Sequence, residues 1–318
     1  MAELKIAVLD ASTLGDDLDL SPLSAFGEVS VYKTTGEEEI YNRIGQADVI
    51  LINKLKMTSE VLSKAPRLKL ICEAATGYDN IDVEYCREHG IAVSNVAGYS
   101  THCVAQITFS MVLSLITHLP EYNEFVRNGS YTKSGVANRL SPQFRELYGK
   151  TWGIIGYGNI GKQVGKIAEA FGCRVIVNKR TPVQGVEYVD IDTLCKESDI
   201  ISIHTPLTPE TRGLINADRI VLMKKSAILV NAARGAVCDE GAVCEAVLAG
   251  DIAGFGCDVY SVEPFGVDHP YNKLLNLSNV CLTPHIAWGG YETRVRLLSE
   301  ICKNIEAFLA GERRSRID

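Results

Sequence analysis

Three short segments of the chain place a polar residue with chemical potential directly after an apolar run: NAARGAVCDE at 231–240, CDVYSVEP at 257–264 and LTPHIAW at 282–288. They contribute Arg234, Glu263 and His285. Arginine presents a rigid fork of donors to a carboxylate and a fixed positive charge beside a carbonyl. Histidine gives or takes a proton near neutral pH, and a glutamate next to it favours the imidazolium. The trio could anchor an anionic carbonyl compound and protonate its oxygen. Each residue alone also has a structural reading: Arg234 before Gly235 as a loop residue, Glu263 before Pro264 as a turn start, His285 after Thr-Pro as a packing histidine. His204, in IHTP, ends another apolar run and is expected to form part of a cofactor wall rather than the acid. His89, His102, His118 and His269 have no comparable setting.

A second cluster points to a nucleotide. Gly156-Tyr157-Gly158-Asn159-Ile160-Gly161 follows the apolar run WGII, opens the helical stretch KQVGKIAEAFG and precedes the run RVIV. This is the strand–glycine turn–helix setting of a dinucleotide fingerprint. Gly156 permits the tight turn, Gly158 close approach to a pyrophosphate, and Gly161 close helix–strand packing. Asn159 and Ile160 fall at the helix amino terminus, where N–H groups and the dipole attract phosphate. In NAD-binding chains an acidic residue about 20 positions further on meets the ribose hydroxyls. No Asp or Glu occurs from Cys173 through Val186; Lys179 and Arg180 stand in that place. Two cations suit a 2′-phosphate, so the cofactor is expected to be NAD(P), with NADP(H) preferred to NAD(H).

The elements that must position these residues alternate from end to end. Candidate strands are Lys5–Asp10, Val29–Tyr32, Asp48–Asn53, Lys69–Glu73 and Ile91–Asn95. After Thr151 come six more: Trp152–Ile155, Arg174–Val177, Ile200–His204, Ala227–Asn231, Gly254–Asp258 and Val280–Leu282. Helical stretches separate them, among them Glu37–Gln46 and Ile81–Glu88, with long ones at Ser100–Thr117 and Tyr291–Leu309. Residues 122–150 read as polar helix plus loop. Ile-, Val- and Leu-rich strands separated by helices predict α/β architecture with parallel sheets. The carboxyl ends of such strands are where these sheets place their sites.

Composition narrows the function classes. The 318 residues suggest about two domains. With 32 basic and 39 acidic residues the net charge is −7, which disfavours a general nucleic-acid-binding role. Ten cysteines without a C-x-x-C pair or zinc-finger spacing predict reduced, buried thiols and no metal site. The amino terminus MAELKIAVLD lacks signal-peptide character, and no run approaches the ~18 apolar residues of a membrane span. A soluble, cytoplasmic protein without a membrane or nucleic-acid partner is expected.

Seven motifs in order give the chain a resemblance to the D-isomer-specific 2-hydroxyacid dehydrogenase family over essentially its whole length. They are AATGYDNID at 74–82, YSTHCVAQ at 99–106, GIIGYGNIGK at 153–162, HTPLTPETRGLI at 204–215, NAARGAVCDE, CDVYSVEP and TPHIAW. NKLKMT at 53–58 and HIAWGGYETRVRL look most like the glycerate dehydrogenase (hydroxypyruvate reductase) branch. The segment SGVANRLSPQF at 134–144 departs from the aromatic-rich stretch usual there.

The resemblance implies two Rossmann-like parallel-sheet domains, one flavodoxin-like and one dinucleotide-binding, with an interdomain cleft. Their boundaries would be 1–99 with 287–318 for the discontinuous substrate domain and 100–286 for the NAD(P) domain. It implies reduction of a small 2-oxo acid, hydroxypyruvate or glyoxylate favoured, to the D-2-hydroxy acid. Arg234 would clamp the carboxylate, His285 act as acid/base and Glu263 tune it. Thr101, Thr205, Pro206, Thr211, Ala232, Ala233 and Asp258 would line the cofactor together with Arg234 and His285. Lys54, Leu55, Thr76, Gly77 and Trp288 would meet the substrate. A homodimer joined through nucleotide domains is implied, with 118–150 as the place for the contact. The alternative from another class is a nucleotide-sensing, corepressor-like interaction protein on the same fold. A different oxidoreductase acting on formate or phosphite is a third reading.

Overall fold

Continuous apolar strands force burial on both faces, and the chain meets this demand twice. The computed structural model describes residues 4–182 and 184–318. One compact unit runs to Ser100 and resumes at Gly289; the other is Thr101–Trp288.

The first unit holds a five-stranded, all-parallel sheet: β1 (Leu4–Val8), β2 (Gly27–Val31), β3 (Val49–Ile52), β4 (Leu70–Glu73) and β5 (Ala92–Ser94), in the order β2-β1-β3-β4-β5. VILI and LICE are fully buried, as strands covered on both sides must be. Leu9, Ile50, Ile52, Ile71 and Val93 share one core with Ile40 and Ile44 of the helix Glu37–Gly45. Three glutamates in that helix's first turn complement its dipole. Asp82 caps the helix Val83–Glu88 by accepting the Tyr85 N–H at 3.0 Å. The carboxyl-terminal helix Tyr291–Leu309 buries Leu297, Leu298, Ile301 and Ile305.

Several strands stop earlier than their apolar runs suggest. Asp10 and Asn53 lie beyond the ends of β1 and β3, where the Asn53 N–H donates to the Asp10 carboxylate at 3.1 Å. A side-chain acceptor there replaces continued ladder pairing.

The second unit holds seven parallel strands rather than six: β6 (Thr151–Ile155), β7 (Arg174–Asn178), β8 (Glu187–Tyr188), β9 (Ile200–Ile203), β10 (Ile228–Asn231), β11 (Gly254–Cys257) and β12 (Val280–Leu282). The additional strand β8 is two exposed residues at the sheet edge, with no apolar run to announce it. Arg174 of β7 holds it by donating through Nε to Glu187 at 2.9 Å. The order β12-β11-β10-β9-β6-β7-β8 reverses direction between β6 and β9. Ligands of open α/β sheets bind at such a switch point. Trp152 is fully buried, donates its indole N–H to the Ser202 hydroxyl at 2.9 Å and stacks on Phe109 of the helix Thr101–Thr117.

The stretch expected to be polar helix plus loop forms helices Leu119–Arg127 and Ser130–Ser134 and then an irregular run. It also exposes Leu119, Leu140, Phe144 and Tyr148, an apolar character that the polar count hides. All ten cysteines are free thiols, seven of them buried. Burial pushes the Cys72 and Cys238 thiols up to about 12. No single helix among the described residues is long and apolar enough to cross a membrane.

Candidate active site

The turn after β6 is shaped by glycine. Gly156 has φ of +90°, and a Cβ added there would lie 2.6 Å from the His204 carbonyl carbon. A Cβ on Gly161 would lie 2.2 Å from the Gly156 oxygen, so helix Asn159–Ala170 starts hard against the turn. Gly158, which caps that helix, faces open space: among the described residues, no atom beyond its chain neighbours lies within 4 Å of a Cβ built on it. The N–H groups of Asn159, Ile160 and Gly161 begin the helix, where a first turn lacks intrahelical acceptors. A backbone cradle beneath unfilled space at a helix amino terminus fits a pyrophosphate.

The neighbouring strand ends complete this corner. The Gly156 N–H donates to the Asn178 carbonyl at 2.8 Å, while the Asn178 amide donates to the Val189 carbonyl at 2.9 Å. Lys179 follows half-buried and Arg180 exposed. After β9, the Thr205 backbone packs against Gly156. The Thr211 hydroxyl donates to the Pro206 carbonyl and accepts the Thr208 N–H, both at 2.7 Å, knitting residues 205–211 into a fixed loop. On that loop the Thr208 hydroxyl donates to Glu210 at 2.7 Å. This bond chiefly holds the Glu210 carboxyl below its usual range, with a smaller contribution from the charge of Arg180. His204 buries both ring nitrogens without hydrogen-bond partners among the described residues, and burial lowers its pKa to about 3. Its imidazole is uncharged at neutral pH and cannot donate a proton as an imidazolium.

The second corner forms at the carboxyl ends of β10, β11 and β12. Asn231, 1% exposed, donates to the Arg234 carbonyl at 2.9 Å and accepts the Ala233 N–H at 3.1 Å. These bonds turn residues 232–234 out of β10. Arg234 is half-buried, with Nη1 donating to the Ala233 carbonyl at 2.8 Å. Gly235 lets this turn press on the loop after β11: an added Cβ would lie 2.0 Å from the Tyr260 carbonyl carbon and 2.2 Å from the Ser261 nitrogen.

That loop carries Glu263. Its Oε1 accepts the Tyr260 N–H at 3.0 Å, and its Oε2 meets His285 Nδ1 at 2.6 Å. With Nδ1 engaged, the ring presents Nε2 on its other side. His285 has φ of +55°, a left-handed conformation in which His is enriched among non-glycine residues. Asp258 fixes this unusual backbone. Its carboxylate accepts from the Thr283 hydroxyl at 2.6 Å and from the Ile286 and Ala287 N–H groups, both at 2.8 Å. Burial raises the Asp258 pKa against these bonds and the nearby His285.

In the first unit, the Lys54 N–H donates to Asp10 at 2.7 Å. Lys54 is exposed and Leu55 half-buried in the loop after β3. Thr76 and Gly77 follow β4. The Thr76 hydroxyl donates to the Val96 carbonyl at 2.9 Å, and Asn95 donates to the Thr76 carbonyl at 2.7 Å. Among the described residues, the Thr76 and Gly77 N–H groups donate to no backbone carbonyl. Thr101 opens the helix Thr101–Thr117, and Trp288 is half-buried just beyond the His285 loop.

The structure thus groups Ala232, Ala233, Arg234, Asp258, Glu263 and His285 beyond the carboxyl ends of β10, β11 and β12, and the glycine turn, Lys179, Arg180 and 205–211 around the switch point. Residues that the sequence reading left unassigned hold these groups in place: Asn231, Gly235, and the Glu240–His269 pair, bonded at 3.0 Å. Asn231 and Glu240 lie inside NAARGAVCDE, so their polarity beside an apolar strand was the available signal. Among the described residues no cluster of three His, Cys, Asp or Glu side chains is placed to hold a metal.

Comparison with known proteins identifies the family. The family model described as D-isomer specific 2-hydroxyacid dehydrogenase, NAD binding domain, matches residues 109–287. A hydroxypyruvate reductase of Blautia hydrogenotrophica is 38% identical over 97% of this chain and 98% of its own length. A glyoxylate reductase of Thermococcus litoralis is 42% identical over 81% of this chain and 78% of its own. Among solved structures, an acyclic imino acid reductase in complex with NADPH and D-Arg superposes with a TM-score of 0.88 at 32% identity, covering 99% of this chain and 100% of that one. Relatives bearing reductase names do not favour the corepressor-like alternative. The chain belongs to the D-isomer specific 2-hydroxyacid dehydrogenase family, as an NAD(P)-dependent oxidoreductase acting on 2-hydroxy acids.

Proposed function

We propose that the protein reduces a small 2-oxo acid, hydroxypyruvate or glyoxylate, to the D-2-hydroxy acid, with NADPH preferred to NADH. The 2.6 Å contact between Glu263 and His285 Nδ1 carries this reading. It orients the ring with Nδ1 engaged, so that Nε2 is the proton donor to the substrate oxygen. Arg234 clamps the carboxylate and steadies the charge that builds on the oxygen. Asp258 and Asn231 keep the two chemical groups in register by holding the backbone on which they ride. In the first unit, the Thr76 and Gly77 amides take the substrate carboxylate and Lys54 and Leu55 meet its side chain.

The dinucleotide, when bound, supplies the hydride, and the balance is 2-oxo acid plus NAD(P)H plus one proton to 2-hydroxy acid plus NAD(P)+. Gly156, Gly158, Asn159, Ile160 and Gly161 would hold its pyrophosphate. Thr101, Thr205, Pro206, Thr211, Ala232 and Ala233 would line it. Lys179 and Arg180, standing where an acidic ribose ligand is usual, support the NADPH preference. In this reading the unit Thr101–Trp288 is the nucleotide domain and the other the substrate domain. The exposed Leu119, Leu140, Phe144 and Tyr148 support a homodimer joined through 118–150.

A matrix of 2-oxo acids against NADH and NADPH, followed by nicotinamide absorbance, tests the proposal. Hydroxypyruvate and glyoxylate should show the highest kcat/KM, and NADPH the lower KM. Failure of every 2-oxo acid to turn over contradicts the reaction; a clear NADH preference contradicts the role of Lys179 and Arg180.

A further inference from the structure

The last residue of β4, Glu73, has no part in the chemistry described above, yet it lies three residues before Thr76. It is fully buried, at 0% exposure. Its Oε2 accepts from the Asn80 amide at 3.0 Å, and the same amide nitrogen donates to the Leu55 carbonyl at 2.9 Å. Its Oε1 is buried with no hydrogen-bond partner among the described residues. The Asn80 side chain therefore ties its own loop, which carries Thr76 and Gly77, to the loop that carries Lys54 and Leu55, and Glu73 holds that amide from below.

Asp10, Lys54 and Asp79 are the charged groups facing Glu73. Burial raises the Asp10 carboxyl too, but backbone N–H groups from Asn53 and Lys54 oppose that rise, a support Glu73 lacks. Glu73 has a single amide donor and a buried, unserved oxygen. When two carboxyl groups share an apolar site, the better solvated one ionises and the other keeps its proton. Burial accordingly pushes Glu73 up to about 9.

We propose that Glu73 is a positioning residue for the substrate carboxylate: uncharged, it fastens the Lys54–Leu55 loop to the Thr76–Gly77 loop through Asn80, and its ionisation weakens binding of the 2-oxo acid. The inference rests on the assignment of the Thr76 and Gly77 amides to that carboxylate. Two effects act together when Glu73 loses its proton. The new charge demands solvation and loosens the Asn80 bridge, and it repels an anionic ligand held four residues away. Four residues reach at most ~14 Å. At that range, with an effective dielectric of ~20, a unit charge weakens binding about tenfold.

The test compares wild type with Glu73→Gln, the uncharged isostere, from neutral pH to above the Glu73 pKa of about 9. In wild type, KM for hydroxypyruvate should rise about tenfold across that pH while KM for NADPH does not. In Glu73→Gln the hydroxypyruvate KM should stay low throughout. The same alkaline rise in both proteins overturns the proposal.

Thermal melts read the charge state without activity. A carboxyl that titrates near 4.5 unfolded and near 9 folded costs wild type stability, relative to Glu73→Gln, increasingly as pH rises between those values. A pH-independent difference in Tm overturns the uncharged Glu73. Asn80→Ala cuts the bridge and leaves Glu73 in place; it should raise the hydroxypyruvate KM at neutral pH, and an unchanged KM counts against the bridge. Gly77→Pro, which removes one amide, separates the two levels. If it leaves KM unchanged, the carboxylate assignment itself falls. If it raises KM while Glu73→Gln behaves as wild type, only the role of Glu73 falls.

Discussion

The second unit contains two histidine–glutamate pairs whose carboxylates grip neighbouring backbone positions. Glu263 accepts the Tyr260 N–H at 3.0 Å, and Glu240 accepts the Ser261 N–H at 2.8 Å. Each glutamate also holds a histidine, His285 at 2.6 Å and His269 at 3.0 Å. The pairs part company in their contact with solvent. Side-chain exposure is 23% and 27% for His285 and Glu263, against 8% and 11% for His269 and Glu240. His269 is further enclosed by Phe265, Tyr260 and Tyr271. A proton carrier needs an accessible face, whereas a fastener needs enclosure. On the proposed function the same two residue types do different work within one unit, and their surroundings decide which.

Substitutions can break or sharpen that contrast. The largest effect is expected at the accessible pair: His285→Ala should lower the 2-oxo acid reduction rate by ~10²–10⁴, the span of general acid catalysis, with NADPH affinity retained. Stopped-flow reduction and cofactor fluorescence titration measure the two quantities. Gly235→Ala comes next. Its Cβ would sit 2.0 Å from the Tyr260 backbone, so the loop carrying Glu263 must shift, and a displacement of ~1 Å can cost about 10²-fold in kcat.

At the enclosed pair the currency changes from rate to stability. His269→Ala removes one of the two hydrogen bonds on Glu240 Oε2, leaving the Ser261 hydroxyl, and with the loss of a bond to a carboxylate should cost ~1–3 kcal/mol in denaturant unfolding. Its kcat should fall less than tenfold. A kcat loss as large as that of His285→Ala would erase the distinction between the pairs. The smallest effect near neutral pH belongs to His204. Its folded pKa of about 3 lies below the ordinary 6.5, so the unfolded chain binds the extra proton as pH falls through that window. The stability held above 6.5 is lost progressively toward 3, and His204→Leu should flatten that acid limb in melts recorded across it.

Much of this arrangement was legible from the chain. Parallel sheets announced themselves through VILI, LICE and IISI because burial on both faces leaves no alternation to misread. The segments holding Arg234, Glu263 and His285 stood out because each places polarity immediately after an apolar run. What stayed hidden depends on contacts distant in sequence. Glu240 reaches His269 over 29 residues and Asp258 reaches Ala287 over 29, and no local pattern encodes either bond. Glu73 looked like the end of a strand, since its burial follows from packing around β4 rather than from its neighbours in sequence. The strand β8 was missed because two exposed edge residues carry no periodicity.

The central claim is that His285 delivers the proton, and imidazole rescue of His285→Ala tests it most directly. The account predicts that reduction of hydroxypyruvate, nearly silent in this variant, recovers in proportion to added imidazolium, while the rate of His269→Ala does not respond. A His285→Ala protein that turns over at close to the wild-type rate without imidazole would contradict it.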